Sequence, residues 1–139
     1  MRKKNIKIKY IISALEEIIE SYRRMQRLTQ CPICELFEKK IEDDEDLTKC
    51  NLCFLKSCQD QLDFYMIYIN ASTFIEFEGK TVRIIPESQR KYVLSRIKRH
   101  EQTIEYLKSL NRKQITFPIM NGSILNNFFV KNYILDNYS

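Results

Sequence analysis

The sequence predicts a mainly α fold, with α+β as the alternative. The expected form is a small helical domain with a four-cysteine zinc knuckle, a short β-hairpin and a docking C-terminal segment. Three observations lead there. Two long stretches repeat apolar residues at helical spacing with no Gly or Pro inside them. Two Cys-x-x-Cys pairs bracket an acidic loop. A run of aromatic and β-branched residues is broken by Gly79, one of only 2 glycines in the 139-residue chain. A chain of this length is expected to form one domain, here residues 1–112, with residues 113–139 as an apolar extension docking on that domain or on a partner. Its 44% hydrophobic and 29% charged residues suffice for a modest core and argue against disorder along the whole chain.

The first helix is expected over residues 5–29. Ile8, Ile11 or Ile12, Leu15, Ile18 or Ile19, Tyr22, Met25 and Leu28 form one stripe, and Glu20 and Arg24 stand four apart in the favourable orientation. Pro32 ends that helix. The basic start followed by apolar residues resembles a signal peptide. Glu16, Glu17 and Glu20 interrupt the apolar region, however, and no small-residue cleavage site follows, so the segment is expected to belong to the fold. Without a secretory signal, the 5 cysteines point to reduced thiols and metal rather than disulfides.

The cysteines come next. Cys31, Cys34, Cys50 and Cys53 read C-x2-C-x15-C-x2-C, with "EDDED" (Glu42 to Asp46) between the pairs. Two intervening residues let both thiolates of a tight turn face one ion at about 2.3 Å, and two such turns complete a tetrahedron around Zn²⁺. Iron–sulfur clusters use other thiolate spacings. Cys58 is either an alternative ligand or a thiol outside the shell. Four thiolates leave no open coordination position, so the metal is expected to be structural. Lys49 and Lys56 would offset its charge.

Beyond the knuckle, a helix over residues 59–70 is expected to lead into a hairpin, "TFIEFE-GK-TVRII", with Gly79 opening a two-residue turn. Pro86 stands where the next helix begins. Residues 88–111 carry an apolar seam of Val93, Ile97, Ile104 and Leu107, with His100 falling on it as a core histidine. The outer face is expected to carry Arg90, Lys91, Arg96, Lys98 and Arg99. After the Asn121-Gly122 turn, Ser123 caps a short helix bearing Leu125, Phe128, Phe129 and Ile134, too apolar to stay solvated.

"CPIC", "CNLC", Cys58 and "RKYVLSRIKRHEQTIEYLKSL", in that order after an N-terminal helix, resemble small zinc-knuckle proteins often encoded by bacteriophages. The resemblance covers roughly residues 5–110, with Phe54 standing where a proline often follows the second knuckle. It implies metal binding, a viral or mobile-element setting and no catalysis. The absence of Trp and the abundance of Ile, Lys, Asn and Tyr fit an AT-rich genome.

No glycine-rich phosphate loop or serine elbow is present, and His100 is the only histidine, so no enzyme is expected. The expected function is a zinc-containing interaction protein that docks on a protein partner or on itself through Leu125, Phe128, Phe129 and Ile134. That partner would be a virion assembly component or a host protein being inhibited. The alternative is nucleic-acid binding through Arg83, Arg90, Lys91, Arg96, Lys98 and Arg99. The net charge of +5 and the basic "MRKKNIKIK" motivate it. A redox role for Cys58 comes third. No run is long enough to span a bilayer, so the host cytoplasm or the virion is the expected location and no membrane the expected partner.

Overall fold

The computed structural model describes residues 4–36, 58–71 and 73–117. In chain order these form β1 (Lys4–Lys7), α1 (Ile8–Arg23), β2 (Gln26–Leu28), α2 (Pro32–Leu36), α3 (Cys58–Asn70), β3 (Thr73–Phe77), β4 (Lys80–Ile84), a 3₁₀ turn (Glu87–Gln89), α4 (Arg90–Ser109) and β5 (Gln114–Phe117). The result is an α+β mix rather than a mainly α fold. Two antiparallel sheets accompany the helices: β1 paired with β5, and a three-stranded sheet in the order β2-β4-β3.

The expected stripe on α1 is buried from Ile8 to Tyr22, with Ile12 half-buried. The helix is shorter than its periodicity suggested, at both ends. Residues 4–7 leave it to pair with β5, Ile6 opposite Ile115, and the Ile8 amide donates to the Lys113 carbonyl at 2.8 Å. At the other end the Arg24 and Met25 amides bond back to the Ser21 and Tyr22 carbonyls, and Met25 turns to φ 55. The chain can then swing into β2, where the Ile85 amide donates to the Met25 carbonyl at 2.8 Å. Ser21 ties the corner by donating to the Gln26 carbonyl. Met25 and Leu28 thus continue the apolar surface from a turn and a strand rather than from helix.

Helix then hairpin is the order observed between Cys58 and Ile84. The turn falls one residue earlier than the sequence suggested: Phe77 pairs with Lys80, so Glu78 and Gly79 are the loop, at φ 50 and 78. Positive φ at both positions is the type I′ geometry that matches strand twist. Gly79 is therefore its second residue. Glu76 accepts a hydrogen bond from Thr81 across the pair, and Lys80 forms an ion pair with Glu17 that joins the hairpin to α1.

α4 packs antiparallel against α1, its end led back by β5 to the start of α1. The seam of Val93, Ile97, His100, Ile104 and Leu107 is buried as expected, and Thr103 joins it. α3 covers the same helix through Ile67 and Asp63. Because residues 114–117 form β5, the segment assigned to the extension begins inside the fold. The remainder, with the Asn121-Gly122 turn, lies outside the described residues. Among the described residues no helix is long and apolar enough to cross a membrane.

The hairpin turn yields a direct test. No atom lies within 4 Å of a Cβ added to Gly79, so Gly79→Ala meets only the backbone cost of the left-handed region, about 1–2 kcal/mol. Glu78→Asn, which suits that region, is expected to raise stability. Urea unfolding of the two variants should move in opposite directions.

Candidate functional site

The first half of the proposed knuckle sits where α1 and β2 hand the chain to α2. Cys31 precedes Pro32, whose fixed φ suits the first helical position, and the Glu35 amide bonds to the Cys31 carbonyl at 3.1 Å. Cys34 follows one turn later, inside α2. Cys31 is half-buried against the core, and Ile33 between the two cysteines is buried. A thiol at the start of a helical turn, with a second cysteine three residues on, has the spacing that Zn²⁺ thiolate sites use. Cys58 opens α3. Cys50, Cys53 and the acidic tip lie outside the described residues, as do Leu125, Phe128, Phe129 and Ile134. The structure thus brings Cys31 and Cys34 onto one turn.

The basic residues are arranged differently from what the sequence suggested. Arg96 is not on the outer face of α4 but buried. Its guanidinium donates to the Tyr22 hydroxyl at 2.6 Å and lies 5.5 and 5.1 Å from the Tyr22 and Phe64 ring centroids. Arg99 also turns inward, 2.8 Å from the buried Asp63 carboxylate, and donates to the Ser95 carbonyl at 3.3 Å. The reason is geometric. Arg96 stands three residues after Val93 and four before His100, within the seam itself, and Asp63 stands four before the buried Ile67. A guanidinium suits such a place because it is weakly hydrated and stacks on rings.

Arg83 is half-buried on β4, 3.8 Å above the Phe74 ring, and donates to the Ala71 carbonyl at 3.3 Å. Arg90 is exposed but clasps Glu87, with Nη2 donating at 2.8 Å. That hydrogen bond holds the Glu87 carboxyl below its usual pKa and raises that of Arg90. Lys91 lies 5.0 Å over Tyr92, and Lys98 is exposed. Of the six residues expected to meet phosphates, Lys91 and Lys98 remain on the surface outside an ion pair among the described residues. His100 is fully buried in the seam, as a core histidine.

Sequence reasoning missed two features of this surface. Tyr22, Phe64 and Asp63 were not recognised as arginine partners, although Asp63 among apolar neighbours was a readable signal. The other is the outward face of α3, where Leu62, Tyr65 and Ile69 recur at helical spacing, each about half exposed, at 48, 50 and 49%. Compared with family models, curated proteins and solved structures, the chain matches none.

Two tests follow. Asp63→Ala leaves the Arg99 charge with little solvent and should cost roughly 3–5 kcal/mol, and Tyr22→Phe about 1.5–3 kcal/mol. Lys98→Ala should stay within about 0.5 kcal/mol in the same urea series. For the metal, native mass spectrometry should find one zinc per chain, lost together with the folded charge-state distribution on chelation. Cys31→Ser should reproduce that loss. A metal-free protein that keeps its fold would refute the staple.

Proposed function

We propose that the chain is a non-enzymatic, zinc-stabilised interaction protein of phage or mobile-element origin. It docks on a protein partner, either a virion assembly component or a host protein that it inhibits, in the host cytoplasm or the virion. The zinc, on Cys31, Cys34, Cys50 and Cys53 with Cys58 as the alternative ligand, holds the segment between α1 and α3. The observation that carries this reading is the two-sided character of α3. Its inner face supplies the buried Ile67, and its outer face presents Leu62, Tyr65 and Ile69. A helix apolar on opposite faces is normally covered on both. The apolar residues Leu125, Phe128, Phe129 and Ile134 provide a second docking element in this reading.

Nucleic-acid binding through the outer face of α4 draws less support, because Arg96 and Arg99 are engaged inside the fold. The docking surface is tested by Leu62→Asp combined with Ile69→Asp. Both side chains are half exposed, so the variant should keep the helical circular dichroism of the parent. It is expected to lose any protein that co-purifies with the parent, or the parent's self-association, as read by native mass spectrometry. A variant with the same partners and mass as the parent overturns the assignment.

A further inference from the structure

The β1–β5 pairing gathers at one end of the molecule basic residues that are far apart in sequence. Lys7 closes β1 opposite Gln114 of β5, and the backbone of Ile8 is bonded to that of Lys113 at 2.8 Å. Lys7, Lys9, Arg112 and Lys113 are all exposed, and none of the four forms an ion pair among the described residues. The arginines of α4 and β4 are instead buried or half-buried, as Arg96 and Arg83 are, or paired with a carboxylate, as Arg90 and Arg99 are. The ribbon's pleat sends Ile6 and Ile115 inward, which leaves Asn5, Lys7 and Gln114 on the opposite, polar face. Tyr10 stands at the edge of this cluster, 49% exposed, with the Lys7 and Lys9 ammonium groups 5.8 and 5.2 Å from its ring centroid. Arg112 is near enough to Tyr106 to oppose the upward shift that burial gives that phenol.

Exposed cations on the paired ends of β1 and β5, two of them beside an exposed aromatic ring, match the chemistry of a single nucleic-acid strand, whose phosphates alternate with stackable bases. A flat anionic surface would use the charges and leave the ring unexplained. We propose that this end of the molecule binds single-stranded nucleic acid, with Lys7, Lys9, Arg112 and Lys113 on its phosphates, Tyr10 stacked on a base, and Gln114 supplying hydrogen bonds. The surface is separate from α3 and does not rest on the protein-docking reading.

Fluorescence anisotropy with labelled oligothymidylate and oligouridylate across a salt series tests this. Full-length protein is expected to bind, with affinity falling as salt rises. Replacing Lys7, Lys9, Arg112 and Lys113 together by Gln should reduce the log–log salt slope by roughly 3, at about 0.7 for each phosphate no longer neutralised. Tyr10→Ala should weaken binding roughly 5- to 150-fold at an unchanged slope. Lys91→Gln with Lys98→Gln, on α4, should change neither. All of these side chains are exposed, and each variant is checked by circular dichroism. The proposal is overturned by no binding of either strand, or by an unchanged slope in the quadruple variant. It is equally overturned if Tyr10→Ala binds like the parent, or if phosphatidylserine vesicles bind while both oligonucleotides do not.

Discussion

Two guanidinium groups drawn from one helix into the interior set the terms for the rest of this fold. Arg96 meets α1 at Tyr22 and α3 at Phe64, and Arg99 meets α3 at Asp63. Three helices distant in sequence are thereby fixed at one place. The desolvation of each cation is met in a different way: Arg96 by a phenol and two ring faces, Arg99 by a carboxylate and a carbonyl. A leucine would satisfy burial here but would fix neither the rotation of α4 nor its register against α3. A buried polar contact has to be made correctly, because its unmade form is so costly. The apolar seam from Val93 to Leu107 supplies the bulk of the association, and the arginines make it specific.

Both sheets depend on that three-helix contact. β1 and β5 extend α1 and α4 at one end, and β2 reaches β4 at the other, so neither sheet has an independent core. Their strands are three to five residues long, close to the lower limit for strands in folded proteins. Arginine stacking recurs in the second sheet, where Arg27 lies 4.5 Å over Tyr68 and Arg83 lies over Phe74. A chain without tryptophan uses guanidinium planes on tyrosine and phenylalanine to cover its strands.

The parts of this structure that could be read in the sequence are those whose cause is local. The seam of α4, the stripe of α1 and the glycine of the hairpin each follow from spacing or from φ. The strands β1, β2 and β5 were not readable, because Lys-Asn-Ile-Lys, Gln-Arg-Leu and Gln-Ile-Thr-Phe become strands only by pairing across the chain. Arg96 shows a different failure. Its spacing placed it inside the seam, yet its charge suggested solvent, and position outweighed residue type once Tyr22 was available to receive it. For the metal, the spacing of four cysteines remains the main argument. The structure places Cys31 half-buried at the start of α2.

The ribbon of β1 and β5 also affects how the molecule is made. Lys4 pairs with Phe117, so on the ribosome β1 emerges long before the strand it needs, and α1 long before α4. Contacts of such wide sequence separation form slowly, and partly made chains expose the surfaces they will later bury. Until α4 arrives, the stripe from Ile8 to Tyr22 has little to lie against. The nascent chain therefore passes through an interval in which its unpaired apolar stripe is exposed for as long as translation of α4 takes.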